Sequence, residues 1–356
     1  MSLIFDKIID FYQKEIPFVV YRKPNSDLIS GFFQENDSLF FTENFTENGF
    51  VFAPFNDKEK AILIPETASE FVQEKVLIED EFSLNTEFYS DELSKESHIK
   101  LVKKAIEEIH KNHFQKVVVS RKEKVVLYDV KIINIFKSLL LKYPTAMVTI
   151  FYHPKVGLWF GATPETLLKI NGNSFETMSL AGTQLYKNNE KVTWKNKEIE
   201  EQQLVTDFIK NQLKEISTVH KIDETETLKA GNLLHLRTRV FGSFMKDKNP
   251  LKTFIKALHP TPAVCGLPRN ETKKFIFENE NYKRTFYTGF LGEINRNNKS
   301  ELFVNLRCME IKNNIASIFV GGGITKDSVP EKEWEETVAK TKTMKQVLSI
   351  KKPQTF

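Results

Sequence analysis

Two pairs of glutamates at helical spacing carry the first chemical hint in this sequence. Glu198 and Glu201 stand in WKNKEIEEQQLVTDFIK, and Glu333 and Glu336 stand in VPEKEWEETVAKTKTM. A three-residue step places each pair on one helix face. Two such faces brought together form an all-oxygen site, which suits Mg²⁺ better than zinc. Mg²⁺ keeps waters and leans on the anionic groups of a substrate, so the implied ligand carries a carboxylate or a phosphate. Each pair alone is also what a solvated helix face shows.

Other residues could supply acid, base and grip. Lys116 opens KVVVSR, a very apolar stretch. It reads either as a strand-end lysine reaching solvent or as a base at a pocket rim. Glu165 in FGATPETLL is a turn carboxylate or a general acid. SLAGTQ, Ser179 to Gln184, places small residues around Gly182, where backbone can approach a ligand closely. Gly321, Gly322 and Gly323 end a strand, and their amides could form an anion nest. Arg307 sits inside the apolar stretch LFVNLRCMEI, where a buried guanidinium needs a partner such as a carboxylate. His235 in NLLHLRTRVF reads as a hydrogen-bonded core histidine, and no Cys or His cluster suggests zinc.

The elements that must position these groups follow from periodicity. The first 96 or so residues are strand-like and loop-rich after an N-terminal amphipathic helix. SKESHIKLVKKAIEEIHKNH is an amphipathic helix with Ser97 as its expected N-cap. Strands are expected at 116–120, 146–152 and 158–161, with a helix near 132–141 between them. The Glu198 helix, the strand HLRTRVFGSF and the helix PLKTFIKAL come next. The last third reads as the strands RTFYTGFLGEI, ELFVNLRCMEI and NIASIFVGGGI, then the Glu336 helix. Short polar turns such as INRNNKSE argue for antiparallel hairpins rather than a doubly wound sheet. The expected class is α+β, with large antiparallel sheets and helices outside.

Composition narrows the partners. The 356 residues can bury a real core, and 51 Lys+Arg against 47 Asp+Glu give a formal charge of +4. That balance argues against nucleic acid or membrane as a partner. Two cysteines, no signal-like leader and no long apolar run point to a reducing, cytoplasmic setting.

In this order the segments resemble the chorismate-utilising enzymes, a family including isochorismate synthase, anthranilate and aminodeoxychorismate synthase component I, and salicylate synthase. The resemblance runs from KVVVSR through GATPETLL, SLAGT, EIEEQQLVTD, LHLRTRV, LHPTPAVCGLPR, YTGFLGE, LRCMEI and GGGITKDSVPEKEWEET. It covers residues 98–350, taken as the catalytic core of a single 356-residue enzyme domain, with 1–97 a divergent N-terminal part. It implies two antiparallel sheets in a sandwich flanked by helices, with the active site in a cleft. It also implies Mg²⁺, with Glu201 and Glu336 on the metal, and Glu198 and Glu333 holding metal-bound water or the substrate ring. Gly321 to Gly323, Arg307, Tyr287 and Lys340 would grip the second carboxylate of chorismate. Ala181, Gly182, Thr183 and His235 would complete the substrate site.

The resemblance also suggests a branch. Ammonia-using relatives typically carry Gln at the position of Lys116, and aminodeoxychorismate synthases a nucleophilic Lys at that of Ala181. Lys116 with Ala181 resembles the water-using enzymes, and closest to them the isochorismate synthases. Lys116, its pKa lowered, would activate water for attack at C2, and Glu165, its pKa raised, would protonate the departing C4 hydroxyl. Gln184 departs from the Arg common after AGT in relatives. The expected protein is an isochorismate synthase, serving menaquinone rather than siderophore synthesis, monomeric and without a glutaminase subunit. The rivals are salicylate synthase, an ammonia-using synthase and an inactive chorismate-binding relative.

Overall fold

Central strands such as Phe18–Arg22, Gly49–Ala53, Ala61–Pro65 and Met147–His153 are buried on both faces, and the reason is a sandwich with helices on its outside. The computed structural model describes residues 2–75, 92–186, 192–231, 233–244 and 249–350. The N-terminal part runs α1 (Leu3–Gln13), β1 (Phe18–Arg22), β2 (Leu28–Gln34), β3 (Phe40–Thr42), β4 (Gly49–Ala53), β5 (Ala61–Pro65) and β6 (Ser69–Lys75). The middle runs α2 (Glu92–His110), β7 (Lys116–Val126), α3 (Ile132–Lys142), β8 (Met147–His153), β9 (Gly157–Thr163), β10 (Thr166–Asn171), β11 (Ser174–Leu185) and α4 (Asn196–Leu213). The rest runs β12 (Thr218–Ile222), β13 (Glu226–Ala230), β14 (Leu233–Ser243), α5 (Pro250–Leu258), β15 (Gly266–Leu267), α6 (Arg269–Asn279), β16 (Phe290–Arg296), β17 (Lys299–Val304), β18 (Cys308–Lys312), β19 (Ile315–Ile324) and α7 (Pro330–Lys345).

One sheet has the order β15-β7-β19-β18-β9-β8-β1-β2-β6, and the other β12-β14-β11-β10-β17-β16-β4-β5-β3, with β13 also on β14. The pairings are antiparallel, as the polar hairpin turns require. Strands from the first 75 residues complete both sheets, so this part is built into the sandwich rather than appended to it.

Strand alternation explains the layers. In β1, Val19 and Tyr21 face the inter-sheet core, while Phe18 and Val20 face an outer core under α1 and α3. In β4, Phe50 and Phe52 point between the sheets, and Val51 and Ala53 point to the outer core shared with α4 and α5. Both alternate sets are therefore apolar, which is why these strands read as continuous hydrophobic runs. Trp159 and Tyr287 both stack on Phe319 in the middle layer.

The two glutamate helices belong to different sheets. Val205, Phe208, Ile209 and Leu213 seat α4 on the second sheet. Gly182 (φ +68°) permits that approach, because a Cβ there would lie 3.1 Å from Glu198 Cβ. Trp334, Thr337, Thr341 and Met344 seat α7 against β19 of the first sheet. No described helix is long and apolar enough to cross a membrane.

Four local expectations change. The amphipathic helix begins by Glu92, so Ser97 lies inside α2 and caps nothing. RTFYTGFLGEI is strand only from Phe290, and Tyr287 lies in the turn before it. ELFVNLRCMEI is two strands in two sheets, β17 and β18, and Arg307 (φ +47°) lies at the crossover rather than inside a strand. Gly321 to Gly323 remain extended and paired to β7 at Ser120 to Val118, so they form no nest.

Candidate active site

The strand-end lysine is wholly buried. Lys116 is the first residue of β7, and Nζ lies 2.9 Å from Glu201 Oε1. The contact is an ion pair in distance, though the ammonium makes no well-directed hydrogen bond. Gly323 makes this arrangement possible: a Cβ there would stand 2.3 Å from Glu201 Oε1 and 3.0 Å from Lys116 Cε. Burial pushes the Glu201 carboxyl up, but Lys116, Lys197 and Lys340 outweigh burial and hold it below its ordinary value.

Glu201 from α4 meets Glu333 and Glu336 from α7 at the edge of the sandwich. Lys197 binds Glu333 Oε1, and its ammonium feels Glu201 and Glu336 as well. Lys340 lies 2.7 Å from Glu336 Oε1 and donates to the Gly321 carbonyl at 2.9 Å, so the four-residue step does bring it to the cleft. Burial, then Glu336, pushes the Glu333 carboxyl up. Gly322 faces this cluster, where a Cβ would lie 3.4 Å from Glu333 Oε2. Glu198 is turned away. Its Oε2 accepts from the Lys195 backbone N–H at 3.1 Å and caps its own helix.

Across the cleft, Glu165 sits between β9 and β10 with 2% exposure. Burial pushes its carboxyl up to about 8, against the pull of Lys116 and Arg307. Arg307 donates to the Ala230 carbonyl at 3.0 Å and to His235 Nε2. Burial lowers its pKa to about 10. No carboxylate pairs with it among the described residues, so the fork keeps donors for a ligand. His235 donates from Nδ1 to the Gly182 carbonyl at 3.0 Å, which leaves Nε2 as the acceptor for Arg307. Burial, then Arg307 and Lys340, holds this imidazole neutral. It positions the arginine, consistent with a hydrogen-bonded core histidine.

Ala181, Gly182 and Thr183 form the wall in β11, where pairing to β14 bulges between Ala181 and Gln184. What presses on Gly182 is Glu198, so the small residue admits a helix as well as lining the cleft. Tyr287 closes the floor, and a Cβ on Gly321 would lie 3.0 Å from its Oη. The free space is about 90 Å³, below the roughly 300 Å³ of ordinary ligand pockets. Rim side chains must therefore swing aside for a ring-sized substrate, and chemistry rather than volume marks the site.

The acidic cluster fits a hard divalent cation in one respect: Glu333 Oε2 is buried without a hydrogen-bond partner. Among the described residues no group of three or more His, Cys, Asp or Glu is arranged to hold a metal ion by itself, so an ion at this cluster would need waters or substrate oxygens to complete its shell.

Sequence reasoning missed a buried staple behind the cleft. Arg284 pairs with Glu280, both almost fully buried. It donates to the Val118 carbonyl at 2.7 Å, the Val264 carbonyl at 2.8 Å and Thr288 Oγ1 at 3.3 Å, and Val118, Val264 and Thr288 all line the cleft. Glu280 also accepts from Ser120 N–H and Oγ. The four-residue step between Glu280 and Arg284 was visible, but α6 ends at Asn279, so helix spacing did not point to it. Lys197 was visible too, one residue before Glu198.

A family described as chorismate binding enzyme matches residues 50–349. Isochorismate synthase EntC of Escherichia coli is 32% identical over 203 residues, 54% of this chain and 52% of that protein. Isochorismate synthase MenF of Bacillus subtilis is 31% identical over 267 residues, 72% of this chain and 56% of that protein. The chain thus spans about half the length of the curated relatives it matches. The structure of MenF, the menaquinone-specific isochorismate synthase from Escherichia coli, superposes with a TM-score of 0.77 at 20% identity, covering 93% of this chain and 88% of that one, which shows a common fold. On the match across residues 50–349, the chain belongs to the chorismate-binding enzymes.

Proposed function

We propose that this protein is an isochorismate synthase, which interconverts chorismate and isochorismate by adding water at C2 and expelling the C4 hydroxyl. The observation that carries the reading is one cleft in which a buried Glu165, its carboxyl raised to about 8, lies within electrostatic reach of a wholly buried Lys116. At neutral pH Glu165 holds a proton, as a general acid requires. Ala181 itself offers no nucleophile at its position, which favours water over a covalent route there.

Lys116 in its neutral amine form, its own proton given up before the step, takes the proton from the attacking water as oxygen bonds to C2. The ring double bond shifts, the C4–O bond breaks, and Glu165 gives its proton to the departing hydroxyl, which leaves as water. The reverse reaction exchanges the two roles. Arg307, held by His235 and the Ala230 carbonyl, presents its fork to a substrate carboxylate, with Tyr287 and the Gly321 to Gly323 strand beside it. The side-chain-free strand lets a flat ring lie close to backbone. Glu201 and Glu336 would hold Mg²⁺ directly, and Glu333 would hold its waters, while Glu198, expected beside them, caps its own helix instead. A bound divalent cation would neutralise the ring carboxylate of chorismate against this acidic cluster.

The test is one incubation of purified protein with chorismate and Mg²⁺, with and without ammonia and EDTA, with products identified by chromatography and mass. A Mg²⁺-dependent isomer of chorismate, unaffected by ammonia and free of pyruvate, is expected. Salicylate with pyruvate, or an aminated product, overturns the reading.

A further inference from the structure

A second cavity lies on the outer face of the second sheet, away from the acidic cluster. It is bounded by the loops around β3 to β5, by α5 and by β16, and it holds about 450 Å³, within the range of small-molecule pockets. Its inner wall is apolar: Phe45, Ala53, Ile255 and Phe290. Phe45 tilts against Phe290 at 5.9 Å, and the edge of His259 meets Phe290 at 5.0 Å.

His259 is 4% exposed and lines the cavity. The Pro54 backbone lies within reach of its ring, and neither nitrogen makes a well-directed hydrogen bond within the chain, so the ring keeps capacity for a ligand. Burial lowers this imidazole to about 4, so near neutrality it offers one donor and one acceptor.

The rim supplies charge. Lys60 is taken by Glu43 at 2.7 Å, and Asp57 is taken by Lys273. Lys58 and Lys256 have no ion pair among the described residues, and Lys252 touches only the Asn44 side chain and its own helix cap. Glu59, held by Asn56 at 3.0 Å, and the ion-paired Glu43 and Asp57 oppose the lysines Lys58, Lys60, Lys252 and Lys256, which leaves the rim one positive charge in excess. A flat apolar wall, a buried imidazole and a basic rim together match a ring that carries a carboxylate.

Two short stretches of chain connect this cavity to the catalytic cleft. His259 opens the segment that reaches Ala263 and Val264 in the cleft wall, and Arg284 fastens the Val264 carbonyl at 2.8 Å. Phe290, on the cavity wall, is two residues from Thr288 and three from Tyr287 on the cleft floor.

We propose that this cavity is a second ligand site, for a small aromatic carboxylate, and that its occupation alters substrate affinity in the cleft through the 259–264 segment and the start of β16. This goes beyond the catalytic reading and stands independently of which chorismate reaction the cleft performs.

The experiment is calorimetric titration of the full chain with benzoate and 4-hydroxybenzoate, with acetate and benzyl alcohol as controls lacking the ring or the charge. Saturable binding of the two ring acids, near ~1 mM or tighter, is expected, with neither control binding. Lys252→Glu with Lys256→Glu should weaken it about tenfold or more. His259→Phe, which keeps the ring and removes both nitrogens, should do the same. Chorismate affinity should shift by a finite factor at saturating ring acid, and the ring acid's affinity should shift by that same factor when chorismate is bound. Absence of binding overturns the proposal. So does competitive displacement by chorismate that ignores Lys252, Lys256 and His259, which would place the acid in the cleft. Titration needs no turnover, so a failed product assay and a failed titration remain separate results.

Discussion

At the residue scale the groups proposed as base and acid, Lys116 and Glu165, are separated by environment. Lys116→Ala should lower turnover by about 10²–10⁴-fold while chorismate still binds, as measured by kcat beside a direct binding titration. Loss of binding instead would make Lys116 a clamp. Glu165 supplies a pH signature. It donates only while protonated, so kcat/KM should fall above about pH 8 as the carboxyl ionises, and it should fall again at low pH as the base takes up a proton. The same raised value makes Glu165 destabilising at higher pH. The unfolded carboxyl releases its proton near its ordinary 4.5 and the native one only near 8, so stability is lost as pH rises through that interval. Glu165→Gln should therefore abolish turnover yet resist urea better than the parent at pH 8. Equal or lower urea resistance would mean that the group is not held protonated.

At the element scale the glycine strand and the arginine staple decide the geometry. Gly323→Ala would put a methyl group 2.3 Å from Glu201 Oε1, into the Lys116 ion pair. Overpacking of this kind costs about 1–3 kcal/mol. Activity should fall far more than melting temperature, because the displaced groups are the reacting ones. Arg284→Met leaves Glu280 charged and buried at 1% exposure, a loss of about 3–5 kcal/mol. Adding Glu280→Gln should recover part of it in a chemical melt. No recovery would mean that the carbonyl contacts to Val118 and Val264, rather than the ion pair, hold this corner.

At the scale of the whole molecule, acid should open the sandwich from its outer layers. Burial holds His98 and His259 near 4, against an ordinary 6.5. The unfolded chain takes up these protons first as pH falls, so the stability they contribute is full above 6.5 and drains away toward 4. Each is worth up to roughly 3 kcal/mol at pH 4. The urea midpoint should drop between pH 7 and pH 4.5, and His98→Phe should flatten the drop. An unchanged slope in that variant would remove His98 from the account.

The sequence by itself determined the family resemblance, the candidate residues and most of the elements. The glutamate spacing, Lys116, Glu165, Lys340 and the apolar strands are local patterns, and α4, α7, β7 and β19 formed where periodicity placed them. Tertiary structure alone decided what those patterns meant. Nothing local distinguishes a buried Lys116 from an exposed one, because burial comes from α4 and β19 closing over it. Nothing local told that LFVNLRCMEI would cross between sheets, since both halves carry the same apolar signal and only pairing partners differ. Glu198 and Glu201 look alike in sequence, yet one caps its helix and the other enters the cleft. Side-chain type and spacing are properties of neighbours in the chain. Solvent exclusion and charge balance are sums over neighbours in space, and these arise only when both sheets pack.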